Sequence, residues 1–331
     1  MGSNAVHIRS AQKEDQQEIL DLLNTVFAEN QRSSIRRGND YWEWKFKPNV
    51  FGNSIINVAE VNDEIVGIDH FWPWQLTYRG ETINAYQPCD AAVSSTYRGQ
   101  GIFKSLRLRG LDQAEKSNGQ LLFNFPNSNS LHLNTRLGAK HLGKIVWRVK
   151  VLEPLNMFKG MLKDELSIPA NIDNNFSLDF NKLYRLSSDY KNDGCFISIN
   201  RKVGFFEWRY LNRPDREYGM VSFEQRQEMI GAIFTMNQKG TKREMVLVDI
   251  LGAPNLSGNL FNKIVEVARF MGVTYMVLMD NPQFKTHKLW RKGFVKKKLK
   301  NIVVKRTGSN PVENVSNLEN WSMLAGLHDS I

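Results

Sequence analysis

The chain has 331 residues, 41% of them hydrophobic and 24% charged, with two cysteines and a formal net charge of +10. That length leaves room for two hydrophobic cores, and the composition is globular, not disordered or fibrous. Cys89 and Cys195 are too few and too far apart in sequence for a disulfide framework or a cysteine-rich zinc site, so no metal is expected and a reducing cytoplasm is the expected setting. No apolar run reaches the length of a membrane span, and Met1-Gly2-Ser3-Asn4-Ala5 contains no signal-peptide core.

In chain order, residues 6–11 read as a first strand and 14–27 as a helix with Ile19, Leu22, Leu23 and Val26 on one face. Residues 56–61 and 65–71 flank Asn62-Asp63-Glu64 as a hairpin, and Arg79-Gly80 marks a second turn. An apolar strand over 89–93 leads into Arg98-Gly99-Gln100-Gly101-Ile102-Phe103, which opens a helix with Ile102, Phe103, Leu106, Gly110 and Ala114 at helical spacing. Ser117-Asn118-Gly119 stops that helix, 121–125 is a buried strand, and Pro126 ends it. Asn127-Ser128-Asn129-Ser130 then begins a short helix through Leu137. Residues 153–175, with two prolines and mixed polarity, read as a linker with a short helix at 155–162. Farther on, 245–251, 260–270 and 273–279 read as strand, helix and strand.

The strand, glycine turn and helix around Gly99 and Gly101 suit an anion. The first N–H groups of a helix lack internal partners and lie at the positive end of its dipole. Glycines let the main chain approach a pyrophosphate without a Cβ in the way, and Arg98 adds a cation. Neither the P-loop nor the G-x-G-x-x-G dinucleotide spacing is present. Instead the segment resembles motif A of the GNAT superfamily of acyl-coenzyme A transferases, Arg/Gln-x-x-Gly-x-Gly/Ala. Arg98 and Gly101 fill two of its fixed places, and Phe103 stands where a small residue is expected.

The resemblance extends over about residues 6–148 and implies a set of roles. Gly99, Gln100, Gly101, Ile102 and Phe103 would cradle the pyrophosphate of acetyl-coenzyme A through main-chain N–H groups, with Arg98 and Lys104 beside them. Ala91, Ala92 and Val93 would pair their backbone with the pantetheine arm, and Asn127 would contact that arm. The place of the family's proton-donating Tyr is Asn134, which has no acid to offer; His132 is the nearest titratable alternative, and unaided departure of the thiolate is another. Asp90 is the candidate base, since a carboxylate held near apolar walls has a raised pKa, although a strand-end Asp satisfied by backbone donors reads equally well.

An internal repeat accompanies these motifs. Tyr41-Trp42-Glu43-Trp44-Lys45-Phe46 returns as Phe205-Phe206-Glu207-Trp208-Arg209-Tyr210, and Gly67 returns as Gly231 at the same offset. The expected architecture is therefore α/β, with two tandem GNAT-like modules, each a mixed, mostly antiparallel twisted sheet flanked by helices. The modules would occupy residues 1–150 and 179–331, joined by a 151–178 linker. The second has Gly252-Ala253-Pro254-Asn255-Leu256-Ser257-Gly258 in place of the glycine turn, with no arginine and a proline that removes a donor, so it reads as scaffold or acceptor-site wall.

Trp42, Trp44, Trp72, Trp74, Trp147 and Trp208 are candidates for an acceptor pocket or for core, and Pro73 is expected to interrupt its strand. Residues 285–306 hold ten Lys and Arg and no acid; with these set aside, basic and acidic residues are equal in number. That run suits a nucleotide sugar, an anionic surface or nucleic acid, or else a lysine-blunted edge strand, and no recognised nucleic-acid motif accompanies it. Two functions remain in view: an acetyl-coenzyme A-dependent N-acetyltransferase of a small primary amine, with an amino sugar of a surface polysaccharide as the candidate acceptor, and a noncatalytic coenzyme A-binding or anionic-surface adaptor.

Overall fold

The computed structural model describes residues 5–29, 36–155, 168–189, 195–307, 314–322 and 325–327. Contacts divide the chain into two units, Met1–Leu76 with Thr82–Leu142 and Asn301–Ser316, and Thr77–Glu81 with Gly143–Lys300 and Asn317–Ile331. This division differs from a boundary at 150 with a 151–178 linker. Strands β6 (Lys140–Val151) and β13 (Val295–Arg306) each start in one unit and end in the other, so the boundary falls inside strands. Residues 168–170 of the expected linker form a strand, and the short helix expected at 155–162 lies, beyond Leu155, outside the described residues.

The first unit contains β1 (His7–Ser10), α1 (Gln16–Glu29), α2 (Asn39–Lys45), β2 (Ile55–Val61), β3 (Glu64–Tyr78), β4 (Glu81–Val93), α3 (Ile102–Lys116), β5 (Leu121–Asn124) and α4 (Ser128–Arg136). Its strands follow the order β1-β2-β3-β4-β5, with β1–β2 and β2–β3 antiparallel and β4–β5 parallel. The β2–β3 and β3–β4 connections each place two consecutive residues in the left-handed region, Asn62 and Asp63, then Arg79 and Gly80. Such two-residue turns match the twist of the strands they join. Strand β3 continues through Pro73 instead of breaking there. The C-terminal half of β13 completes the unit, with Val303↔Asn124 to Arg306↔Leu121 antiparallel to β5.

Alternation along β3 assigns the faces of the sheet. Asp69 is bonded to Arg107 of α3, and Phe71 lies beneath Gly110 of the same helix. His70 and Trp72 point the other way, onto Phe46 and Trp44, with ring centroids 4.5 and 5.4 Å apart. Helices α2 and α3 thus cover opposite faces. A Cβ at Gly110 would stand 2.2 Å from the Phe71 ring. Gly110→Ala therefore overpacks the α3 face and is expected to lower stability by about 1–3 kcal/mol in urea titration, despite the better helix propensity of alanine.

The six tryptophans are all at most 8% exposed, which makes them core. The edge-on contacts of Trp44, Trp72 and Trp74 fill the α2 side of the first sheet.

The second unit holds most of β6, β7 (Ile168–Ala170), α5 (Phe180–Asp189), β8 (Ser198–Ile199), β9 (Gly219–Gln225), β10 (Glu228–Lys239), β11 (Lys242–Gly252), α6 (Ser257–Phe270) and β12 (Tyr275–Met279). Strands β9, β10 and β11 are antiparallel, β11 and β12 parallel, and β12 and β6 antiparallel. β9 begins 164 residues after β2, the offset that also separates Trp44 from Trp208 and Lys45 from Arg209. Lys45 and Arg209 are both fully buried.

Candidate active site

Strand β4 carries an irregularity that sets the site. Tyr86 packs with Phe71 and Ala114, and Val93 packs with Ile102 and Leu106, so both face α3 although their numbers differ by an odd count. One extra residue must lie between them, and Asp90 supplies it, with φ at +42°. Such a bulge turns two consecutive side chains to the same face. Cys89 Sγ accordingly lies 3.5 Å and Asp90 Oδ2 3.9 Å from Nδ1 of His70.

The Asp90 carboxylate is buried among cations. Lys45 Nζ is 3.3 Å away, Arg37 approaches to 3.8 Å, and the Tyr41 hydroxyl donates at 3.3 Å. Lys45 also lies 4.3 Å from the Trp72 ring centroid, and the Asn24 side chain holds the backbone N–H and C=O of Arg37. Burial alone would drive the Asp90 carboxyl up, but Lys45, His70 and Arg37 together hold it well below the usual carboxylate range. The raised pKa expected for a general base is corrected by these neighbours, which the local sequence around Asp90 does not contain. Burial and the Asp90 charge raise the Tyr41 phenol to about 12. His70, Cys89 and Asp90 offer ligand atoms within 4.8 Å of one another. Lys45 and Arg37 already supply the positive charge a metal ion would bring there.

After Val93 a short 3-10 turn, Ser95–Tyr97, leads into the glycine turn. Gly99 and Gly101 have φ of +82° and +79°, and a Cβ at either would meet nothing within 4 Å. The first bond of α3 runs from Ser105 N–H to the Gly101 carbonyl, so the N–H groups of Ile102, Phe103 and Lys104 precede the helical ladder. No acidic residue occupies that first turn. Arg98 does not reach over the turn: it donates to the Val93 carbonyl at 3.1 Å and to Glu29 at 3.2 Å. An exposed ion pair of this kind is worth at most about 1 kcal/mol, little for a phosphate to displace. Phe103 is half-buried, with its ring centroid 5.1 Å from the Arg107 guanidinium, which accommodates a large residue at the small-residue place.

β4 and β5 pair only at Ala85↔Leu121 and Tyr86↔Leu122. Two residues on, Pro88 has no N–H to continue a ladder. A small cleft of about 20 Å³ lies at this point, with Pro88, Arg107, Asn124, Asn134 and Lys305 among its walls. Asn134 is fixed there, its amide donating to the Ser130 carbonyl at 2.7 Å and accepting from Arg107 at 3.4 Å. Asn127 caps α4 by accepting from Ser130 N–H at 2.9 Å. His132 is exposed on α4, and no contact among the described residues joins it to Asp90.

The structure thus brings Ala91, Ala92 and Val93 into line with Gly99, Gln100, Gly101, Ile102, Phe103 and Lys104 along one strand, turn and helix. Lys45, Arg37, Tyr41 and His70 were not among the residues expected from sequence. A signal for Lys45 existed in the repeat itself, where a cation recurs at one place inside an aromatic motif, as Arg209. In the basic run, Lys305 donates to the Leu137 carbonyl at the end of α4, and Lys297 lies 5.0 Å from the Tyr275 ring centroid.

Residues 7–141 match the family model of the acetyltransferase (GNAT) domain. That segment is a GNAT acetyltransferase domain, the class its sheet, bulged strand and glycine turn define. Solved structures of the same fold include a GCN5-related N-acetyltransferase from Anabaena variabilis, 14% identical over 91% of this chain and 73% of that one, with a TM-score of 0.62. A probable N-acyltransferase from Enterococcus faecalis is 10% identical over 92% and 73%, with a TM-score of 0.63. The Saccharomyces cerevisiae N-myristoyltransferase with bound myristoyl-CoA is 11% identical over 97% and 84%, with a TM-score of 0.57. No curated protein matches the sequence. No helix among the described residues is long and apolar enough to cross a membrane.

Proposed function

We propose that this protein transfers an acetyl group from acetyl-coenzyme A to a primary amine of a small molecule, by direct attack of the amine on the thioester. The observation that carries the reading is the continuous path from the exposed glycine turn, along residues 91–93 of β4, to the cleft at Pro88 where β4 and β5 part. Pyrophosphate at the head of α3 and the pantetheine arm along β4 would bring the thioester to that cleft.

Asp90 in this reading fixes the bulge and the cationic pocket behind it, and the amine arrives already deprotonated. That requirement favours amines of lowered basicity, such as those on a sugar ring, where neighbouring C–O bonds withdraw electrons. An amino sugar of surface polysaccharide synthesis is the acceptor we favour. Asn127, exposed at the head of α4, is the residue of that helix we assign to the arm. His132 is the titratable side chain on that helix for which a role in proton transfer is proposed from sequence. The second unit, with β11 parallel to β12 and Pro254 at the start of the turn before α6, supports a degenerate repeat without a cofactor turn of its own.

The test is calorimetric titration with acetyl-coenzyme A and coenzyme A, followed by thiol release across a library of amines that includes free and nucleotide-linked amino sugars. Micromolar binding and turnover confined to a subset of amines are expected. Binding without turnover on any amine would favour a noncatalytic coenzyme A-binding protein, the reading that the amide at Asn134 keeps open.

A further inference from the structure

Acyl transfer from a thioester leaves a thiolate, and the cleft at the β4–β5 splay contains no acid to protonate it. Its polar wall residues are Arg107, Asn124, Asn134 and Lys305, set among Pro88 and apolar side chains. Arg107 is committed: Nε and Nη2 donate to Asp69 at 2.7 and 2.9 Å, and Nη1 donates to Asn134. Its charge is answered by a carboxylate. Lys305 differs, because its ammonium has three donors and spends one, at 2.7 Å, on the uncharged Leu137 carbonyl. Among the described residues it has no carboxylate partner.

We propose that Lys305, from strand β13 and outside the residues matched as an acetyltransferase domain, stabilises the departing coenzyme A thiolate. The proposal rests on the acyl-coenzyme A reading above. Lys305 is opposite Leu122 in the β13–β5 ladder, and Leu122 and Pro88 line the same cleft, so the ammonium stands where an arm running back along β4 delivers its sulfur. In the step itself the amine nitrogen forms the new C–N bond, and the C–S bond breaks with its electron pair passing to sulfur. The proton shed by the amine goes to water, and Lys305 keeps its own. A fixed cation facing charge that appears only as the bond breaks lowers the barrier without tightening the ground state. An active site limited to residues 7–141 would lack this group.

The experiment uses the full chain as wild type, Lys305→Gln and Lys305→Arg. Glutamine keeps a donor for the Leu137 carbonyl and loses the charge, whereas arginine keeps both, so a purely structural role spares the glutamine variant. Each protein is saturated with coenzyme A, and the bound thiol is titrated by the ultraviolet absorbance of its thiolate. A nearby cation lowers such a pKa by about one unit or more. That depression is expected in wild type and Lys305→Arg and absent in Lys305→Gln, together with a fall in kcat of roughly 100-fold for glutamine alone. Equal thiol titration in wild type and Lys305→Gln, or an unchanged kcat in Lys305→Gln, would overturn the role of Lys305. Failure of the wild type to bind coenzyme A at all would overturn the acyl-coenzyme A reading, and this proposal with it.

Discussion

Glutamate in place of Gly101 abolishes acyl-coenzyme A binding and leaves the protein folded. A Cβ at this position meets no atom within 4 Å, so no packing is disturbed. A non-glycine residue at φ +79° costs about 1–2 kcal/mol, well inside the roughly 5–15 kcal/mol by which a typical domain is stable. A carboxylate beside the first turn of α3 also interacts favourably with the helix dipole, which offsets part of that strain. The same carboxylate stands where the pyrophosphate needs the N–H groups of Ile102, Phe103 and Lys104, and two anions at one helix terminus repel. Calorimetry should show at least about a 100-fold loss of affinity, with an unchanged circular dichroism spectrum. Gly101→Ala separates strain from charge: it carries the same φ penalty and retains most of the affinity. Wild-type affinity in the glutamate variant would remove the turn from the cofactor site.

Much of the frame for this turn is local and therefore legible in sequence. The hairpin at Asn62-Asp63, the stop at Ser117-Asn118-Gly119, the strand before Pro126 and the helix from Ile102 all follow from turn chemistry and periodicity over a few residues. What sequence does not carry is the union of distant segments. Asp90 reads as a carboxylate among apolar neighbours until Arg37, from the segment before α2, Tyr41 and Lys45 of α2 and His70 of β3 are brought to it. The bulge that aims Asp90 at them leaves no mark in a run as short as Cys89-Asp90-Ala91. Lys305 is hidden for a related reason, since a lysine-rich strand reads as solvated surface until its pairing with β5 places one ammonium against the end of α4. Pro88 belongs with these, since the strand read from sequence begins after it at 89, whereas the strand runs from Glu81 and its parallel pair opens near Pro88.

Exchange of Asp90 for asparagine is expected to cost about 3–5 kcal/mol of stability, because it removes the carboxylate from a buried ion pair. Lys45 is fully buried and pairs with Asp90 at 3.3 Å, and the Trp72 ring replaces only part of that attraction. Adding Lys45→Met to Asp90→Asn should restore a large part of the loss, since an apolar chain of similar length needs no partner. The pH dependence has a definite sign. The Asp90 carboxyl titrates far below its unfolded value of about 3.9, so its contribution is complete above about pH 4 and is lost as pH falls below that. Urea titrations of wild type and Asp90→Asn should therefore differ most at neutral pH and converge in acid. The same ionisation bears on catalysis, because a carboxylate that stays charged throughout the neutral range takes up no proton there. The rise of kcat/KM with pH then belongs to the acceptor amine: it should shift when a more or less basic amine is used and keep its position in Asp90→Asn, even where turnover is reduced. A limb that disappears with Asp90 would restore that residue as the general base and require Lys45 or Arg37 to swing away when the amine binds.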